Sequence, residues 1–243
     1  MGRLDGKIAV ITGASAGMGL AAAKRFVAEG AKVVITGRDH ARLSAAAEAI
    51  GGEVATVRGD VAQLCDLDTL FNAVAALHGR IDVLYANAGA AASAPLGEIT
   101  EAHFDAIVGV NLRGTLFSVQ KALPLLSDGA SIIVKGSIAG VRGRAGRGVY
   151  NASKAALGAL VRTWAQELKH RRIRVNLLVP GPTDTDALAG APPEVRAFLA
   201  GQVVRGTIAQ PDEIANAALF LASDESSFVN ASEVFVDGGA AQI

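Results

Sequence analysis

The chain has 243 residues, of which 51% are apolar and 19% charged, and its acidic and basic side chains balance to a formal net charge of zero. A neutral chain lacks the basic field expected of proteins that bind nucleic acids or membrane surfaces, so we predict neither partner. Cys65 is the only cysteine, which excludes an internal disulfide and fits a reducing cytoplasm.

The N-terminal sequence MGRLDGKIAVITGAS runs directly into a predicted strand and lacks the pattern of a signal peptide, so we expect a cytoplasmic protein. The uncharged run from Ile8 to Ala23 is interrupted by glycine, serine and threonine, which argues against a membrane helix. No metal site is predicted, because metal-ligand spacing is lacking among the four histidines, His40, His78, His103 and His170.

Short β-branched runs alternate with longer helical patterns along the whole chain. Strands are predicted over Lys7–Ile11, Lys32–Thr36, Val54–Arg58, Asp82–Tyr85, Ser131–Val134, Arg174–Val179 and Glu233–Val236. Helices are predicted near Met18–Glu29, Asp39–Ile50, Asp66–Leu77, Glu101–Leu126, Tyr150–His170 and Asp212–Leu221. Apolar strands separated by helices predict one α/β domain over residues 1–243, with a doubly wound, seven-stranded parallel sheet.

One connection, residues 180–210, is too long for a plain crossover. It follows the C-terminal end of a strand, which is where such sheets bind ligands, so we predict a lid over the site. The alternative is a surface excursion that contains one amphipathic helix around Glu194–Leu199.

The motif TGASAGMG lies between the first predicted strand and the first helix. Gly13 permits a tight turn, and Gly17 and Gly19 let the backbone approach a pyrophosphate at the positive end of the helix. Ser15 and Met18 belong to this loop and are assigned to the same site. The G-x-x-x-G-x-G spacing differs from the commoner G-x-G-x-x-G fingerprint of dinucleotide binding.

The second predicted strand is followed by Gly37 and Arg38, where an acidic residue would hold the adenosine ribose of NAD. Arg38 offers a fork of donors to a 2′-phosphate, which favours NADP(H) while leaving NAD(H) possible. The alternative is a solvated arginine before a helix capped by Asp39.

Two further strand ends are assigned to the same cofactor. Asp60 and Val61, after the third strand, are positioned to bracket an adenine. At the end of the fourth strand, the small sequence Asn87-Ala88-Gly89 lets the chain pass close to the cofactor.

Tyr150 and Lys154 are four residues apart at the start of a helix and therefore share a face. Tyrosine ordinarily has a pKa of about 10, but a neighbouring ammonium stabilises its phenolate form. Ser137, at the end of the fifth strand, is positioned to donate a hydrogen bond to a carbonyl oxygen. A tyrosine and a lysine four residues apart are also common on exposed helices, so this spacing alone is weak evidence for catalysis.

The chain also contains the motifs GVNLRG, SIAG, YNASK, RVNLLVPGPTDT and VDGG, in this order. With this set of ordered motifs, the sequence resembles the short-chain dehydrogenase/reductase family over essentially its whole length. The resemblance implies a Rossmann-type fold and a homotetramer. It also implies a catalytic tetrad of Asn111, Ser137, Tyr150 and Lys154, with Tyr150 as acid/base and Asn111 anchoring a water. Lys154 would also hold the nicotinamide ribose, which the family flanks with residues matching Pro180, Gly181, Thr183 and Thr185.

Three departures from the family pattern stand out. The loop TGASAGMG has no basic residue, where many NADP-dependent members carry one, so Arg38 would act without that second cation. Lys135 occupies a position near the end of a central strand where a small or uncharged residue is usual, and we expect its ammonium to reach water. Asn230-Ala231 replaces a common Thr-Gly pair before the last strand.

Three functions are compatible with the sequence. The first is an NADP-dependent carbonyl reductase or alcohol dehydrogenase with a small-molecule substrate. The second is a 3-oxoacyl-carrier-protein reductase, for which Arg142, Arg144 and Arg147 of the predicted loop Val141–Val149 supply a basic entrance. The third is a dinucleotide-sensing protein without turnover, which an intact tetrad disfavours. The loop arginines either recruit an anionic substrate or only keep the loop solvated.

Overall fold

The computed structural model describes residues 2–241, and its framework is one sheet of seven parallel strands. The strands are β1 Ile8–Thr12, β2 Lys32–Gly37, β3 Val54–Arg58, β4 Ile81–Ala86, β5 Leu126–Lys135, β6 Arg174–Pro180 and β7 Glu233–Val236. The helices are α1 Gly17–Ala28, α2 His40–Ile50, α3 Leu64–His78, α4 Glu101–Val108, α5 Thr115–Ala122, α6 Gly148–Glu167, α7 Pro193–Gly201 and α8 Pro211–Ala222. The strand order β3-β2-β1-β4-β5-β6-β7 confirms the predicted doubly wound, single-domain α/β fold.

The sheet is buried on both faces because its strands are apolar throughout. On β1, Ala9 and Ile11 point to one side and pack in a core with Phe26 of α1. Val10 points to the other side and packs in a second core with Leu157 of α6. Helices α1, α2 and α8 thus cover one face, and α3, α5 and α6 cover the other, leaving the strand ends to form the site.

The prediction of a single helix over Glu101–Leu126 is wrong in the middle of this range and at its C-terminal end. The structure has α4 and α5 joined by a π-helical turn over residues 109–114, and α5 ends at Ala122. Pro124 explains the end, because proline lacks an N–H group and disfavours helix in the residue before it. Strand β5 then begins at Leu126, well before the predicted Ser131, with a register shift against β4.

The remaining boundaries differ by a turn or less. Helix α6 begins at Gly148, so the loop predicted over Val141–Val149 ends at Arg147. Asp39 caps α2 as predicted, because its carboxylate accepts a hydrogen bond from the backbone N–H of Arg42 at 3.0 Å. Within residues 2–241, no helix combines the length and the hydropathy needed to cross a bilayer.

Candidate active site

The carboxyl ends of β1, β2, β4, β5 and β6 meet at one edge of the sheet, where doubly wound folds bind their ligands. Two clefts open there and are neighbours, because Ala90 lines the first and Ala91 the second. The first, which we call the glycine cleft, has a volume of about 190 Å³. The second, the tyrosine cleft, has a volume of about 440 Å³.

Most residues predicted to form the site line one of these clefts. The glycine cleft brings together Gly13, Ser15, Arg38, Asp60, Val61, Asn87, Ala88 and Gly89. The tyrosine cleft brings together Ser137, Tyr150, Gly181, Thr183 and Thr185. The other predicted residues line neither cleft and lie in the supporting structure: Gly17, Met18, Gly19, Asn111, Lys154 and Pro180.

The glycine loop approaches β4 so closely that side chains are excluded. Gly13 has a φ of +65°, and a Cβ atom there would lie 2.8 Å from the Cα of Ala88. A Cβ at Gly19 would lie 2.5 Å from the amide nitrogen of Asn87. Helix α1 begins at Gly17 with no acidic residue in its first turn and no side-chain cap, which leaves its first backbone N–H groups available to an anionic ligand.

Asn87 fastens the glycine loop and leaves one polar atom unused. Its side-chain nitrogen donates to the backbone oxygens of Thr12 and Gly13, both at 2.9 Å. Its side-chain oxygen is buried without a hydrogen-bond partner among residues 2–241. A buried acceptor in such a place indicates a ligand that brings a hydroxyl or N–H donor.

Basic side chains cluster beyond the end of β2. Arg38 is exposed and forms no ion pair with the part of the chain that the structure describes. Arg58, the last residue of β3, donates from Nε to the backbone oxygen of Arg38 at 3.0 Å and lines the same surface. Sequence reasoning missed Arg58, although the β3-β2 neighbourhood of this fold places it beside Gly37.

Ser137 and Tyr150 line the tyrosine cleft, and Lys154 lies behind Tyr150 in the supporting structure. Ser137 follows β5, and its hydroxyl accepts a hydrogen bond from the backbone N–H of Ala139 at 3.2 Å. Tyr150 lies in the first turn of α6, and Lys154 lies one turn later, with its Nζ 6.0 Å from the centre of the Tyr150 ring. Lys154 is only 2% exposed, and its ammonium donates to the backbone oxygen of Lys135 at 2.9 Å.

The two lysines influence each other electrostatically. Burial lowers the pKa of Lys154 well below its ordinary value, and the positive charge of Lys135 lowers it further. Burial also lowers the pKa of Lys135, to about 8. Both shifts arise mainly from burial, which disfavours the charged form of an amine.

Asn111 lies on the π-helical turn between α4 and α5 and is fully buried. Its side-chain oxygen accepts from the backbone N–H of Ala90 at 2.8 Å, and its nitrogen donates to the Ala90 oxygen at 2.9 Å and to the Ser153 hydroxyl at 3.0 Å. Asn111 therefore ties the end of the β4 loop to α6. Ala90 and Ser153 carry no sequence signal for this role.

The segment 180–210 lines the tyrosine cleft and reaches the glycine loop. Thr185 lies against the glycine loop, because a Cβ at Gly17 would be 3.2 Å from its methyl group. Asp184 pairs with Arg196 of α7 at 2.5 Å, and Asp186 pairs with Arg42 of α2. Phe198 of α7 lies beneath the guanidinium of Arg144, 5.4 Å from its ring centre.

The other two loop arginines are also engaged. The guanidinium of Arg142 donates to the backbone oxygen of Ala240. The guanidinium of Arg147 lies 5.8 Å from the ring centre of Tyr150. Within residues 2–241, no group of His, Cys, Asp and Glu side chains is arranged to hold a metal ion.

A doubly wound sheet with a glycine-rich loop and a serine, tyrosine and lysine at its carboxyl edge defines a dinucleotide-binding oxidoreductase. The chain belongs to the short-chain dehydrogenase/reductase family. A family model described as enoyl-(acyl carrier protein) reductase matches residues 13–241. The protein is thus an oxidoreductase acting on alcohols or ketones with a nicotinamide dinucleotide.

Individual relatives match along their whole length. The oxidoreductase asL5 of Sarocladium schorii is 48% identical over 99% of this chain and 98% of the relative. The 3-oxoacyl-[acyl-carrier-protein] reductase FabG of Thermotoga maritima is 36% identical over 98% of each chain. A solved structure of a mutant Serratia marcescens short-chain dehydrogenase/reductase superposes with a TM-score of 0.95 at 31% identity, covering 98% of this chain and 99% of that chain.

Proposed function

We propose that the protein is an NADP(H)-dependent carbonyl reductase or, in the reverse direction, a secondary-alcohol dehydrogenase. The observation that carries the proposal is that Ser137 and Tyr150 line a cleft beside the glycine loop, with the buried Lys154 close behind the Tyr150 ring. A cleft of about 440 Å³ is of the size that small-molecule ligands occupy.

The residues present fit a dinucleotide. The glycine loop provides a cradle that side chains would fill, α1 provides free backbone N–H groups, and Asn87 provides an unpartnered oxygen. On our proposal the cofactor is held by Gly13, Ser15, Gly17, Met18, Gly19, Arg38, Asp60, Val61, Asn87, Ala88, Gly89, Tyr150, Lys154, Pro180, Gly181, Thr183 and Thr185. When bound, the dinucleotide supplies or accepts the hydride.

The preference for NADP(H) over NAD(H) rests on the basic cluster beyond β2. The strand ends in Gly37, so no carboxylate stands where one would repel a 2′-phosphate. Arg38 and Arg58 present two guanidinium groups at this surface, and guanidinium groups match phosphate geometry. Asp39 caps α2 and forms no ion pair with either guanidinium within residues 2–241.

Tyr150 is the proposed acid/base. In ketone reduction its hydroxyl donates a proton to the developing alkoxide, and in alcohol oxidation its phenolate accepts one. Ser137 donates a hydrogen bond to the same substrate oxygen and fixes its position. The ammonium of Lys154 stabilises the phenolate and binds the nicotinamide ribose, and Asn111 anchors a water that returns protons to Lys154.

A 3-oxoacyl-carrier-protein reductase is the second candidate. It is supported by the arginines beside the tyrosine cleft and by similarity to the Thermotoga maritima enzyme. Against it, the side chains of Arg142 and Arg144 are already engaged with Ala240 and Phe198. A sensor without turnover is the third candidate, and it would bind the dinucleotide tightly without oxidising any alcohol.

We further propose a cytoplasmic homotetramer in which segment 180–210 is the substrate lid and residues 1–243 form one domain. Helix α6 exposes Ala152, Ala155 and Ala159, which are three and four residues apart and so share one face of the helix. Their small side chains allow the backbone of a second subunit to approach closely. Phe104 of the neighbouring α4 is 47% exposed and extends this surface. Both features favour pairing of α4–α5 and α6 across a two-fold axis.

The test is to assay a panel of neutral ketones, sugars and acyl thioesters with NADPH and with NADH in parallel. Turnover is monitored by the absorbance of the reduced cofactor. Turnover of simple ketones with NADPH supports the proposal. Turnover of acyl thioesters alone would contradict the proposal and favour the second candidate, a 3-oxoacyl-carrier-protein reductase. Cofactor binding with no turnover on any substrate would favour the sensor.

A further inference from the structure

Lys135 is a charged side chain in the glycine cleft that the proposed mechanism does not use. It is the last residue of β5 and lines the cleft with Gly13, Asn87 and Gly89. A Cβ at Gly89 would lie 3.5 Å from the Nζ of Lys135. The ammonium therefore lies against the β4 loop within the cleft.

The surroundings of Lys135 place it beside the chemical groups. The point where a Cβ at Gly89 would lie is also 3.4 Å from the side-chain oxygen of Asn111. The backbone oxygen of Lys135 accepts the hydrogen bond from Lys154 at 2.9 Å, and the two ammonium groups repel each other. Lys135 thus carries its charge beside Gly89 and Asn111 and within electrostatic reach of Lys154.

The charge of Lys135 has no local counter-ion. No carboxylate within residues 2–241 lies at ion-pair distance from its ammonium. The titratable groups that share its cleft or lie beside it are Arg38, Asp60, Tyr150 and Lys154, and the Asp60 carboxylate accepts from the backbone N–H of Ala62. An uncompensated ammonium inside a ligand cleft is retained at a cost in folding stability, so a ligand is the natural partner.

We propose that Lys135 makes this cleft discriminate between the oxidation states of its cofactor, favouring the reduced dinucleotide over the oxidised one. The inference rests on the proposed dinucleotide binding. The nicotinamide ring is cationic when oxidised and neutral when reduced, whereas the rest of the dinucleotide keeps its charge. A fixed ammonium near the reaction centre therefore repels only the oxidised form. The consequence is an enzyme that holds reduced cofactor ready for ketone reduction and releases the oxidised product readily.

The expected size follows from Coulomb's law. For any two unit charges about 7 Å apart, the interaction corresponds to a change in the ratio of dissociation constants of roughly threefold at a dielectric constant of 80 and roughly fiftyfold at 20. Because the pKa of Lys135 is lowered to about 8, the discrimination is full at neutral pH and declines as Lys135 loses its proton. Anionic cofactor raises this pKa, so the decline extends above pH 8 in the complex.

The experiment measures dissociation constants of NADPH and NADP⁺ by isothermal titration calorimetry for the full chain, at pH 7 and at pH 9.5. Lys135→Met, which keeps the aliphatic stem, should lower the ratio of the NADP⁺ to the NADPH dissociation constant by roughly three- to fiftyfold at pH 7. Lys135→Arg should preserve the ratio, and Lys135→Gln provides a second uncharged variant. At pH 9.5 the wild-type ratio of the NADP⁺ to the NADPH dissociation constant should fall toward the ratio of Lys135→Met. Between pH 7 and pH 9.5 this ratio should change least in Lys135→Met.

An unchanged ratio in both uncharged variants, or a Lys135→Arg ratio equal to theirs, would overturn the inference while leaving the proposed function intact. Wild-type protein that binds no dinucleotide would overturn both. If the protein prefers NAD(H), the same measurement with NADH and NAD⁺ decides the point, because the nicotinamide charge is identical in the two cofactors.

Discussion

Replacing Arg38 by Gln tests the cofactor preference, because it removes the charge but keeps a polar side chain of similar reach. Arg38 is exposed, so its contact with a 2′-phosphate lies between a surface ion pair of about 0.2–1 kcal/mol and a charge-assisted hydrogen bond of about 1.5–3 kcal/mol. Arg58 holds the backbone oxygen of Arg38 at 3.0 Å and limits its movement, which favours the middle of this range. We expect a loss of about 1–2 kcal/mol, or roughly 5- to 30-fold in the NADPH dissociation constant.

The assay is quenching of intrinsic fluorescence, or calorimetry, with NADPH and NADH at low and at physiological salt. NADH affinity should not change, and the NADPH loss should be larger at low salt, because screening weakens exposed charges. Arg25→Gln is the matched control, since Arg25 is an exposed arginine in the last turn of α1, away from the cleft. Equal losses for NADPH and NADH, or equal losses in the control, would refute the role of Arg38 in phosphate recognition.

Three further outcomes are expected. Ala231 has a φ of +55°, a conformation that favours glycine. Ala231→Gly should therefore raise the free energy of unfolding by about 0.5–1 kcal/mol and raise Tm by roughly 1–4 °C in a calorimetric melt. A lower Tm would contradict this prediction. Replacing Arg144 and Arg147 together by Gln should raise KM for anionic ketones several-fold and leave neutral ketones unchanged, and an equal response would reduce the arginines to loop solvation. Light scattering at micromolar concentration should give four times the chain mass, and a monomer mass would exclude the proposed assembly.

The fold could be predicted from the sequence because each strand is a short, apolar, β-branched run between helical patterns. The prediction was wrong where one strong local signal was overlooked. Pro124 ends α5 early, and the polar residues after Leu126 belong to the irregular start of β5. The π-helical turn at 109–114 coincides with the motif GVNLRG but was predicted as regular helix, and its Asn111 is held by hydrogen bonds to Ala90 and Ser153.

The candidate site was predictable where residues adjoin strand ends and motifs. Residues whose contribution depends on strand order rather than on local sequence were missed. Arg58 reaches Arg38 only because β3 pairs with β2, and Lys135 enters the glycine cleft only because β5 lies beside β4. The position of the Lys135 ammonium against the β4 loop depends on packing that no sequence pattern describes.

The most direct test of the central claim is turnover by Tyr150→Phe with NADPH and a ketone that the wild-type protein reduces. The variant keeps the ring that packs near Arg147 but lacks the proton donor. We expect kcat to fall by roughly 10²–10⁴-fold while the dissociation constant of NADPH stays within about twofold of wild type. Near-normal kcat in this variant would contradict the proposal that Tyr150 is the acid/base of the reaction.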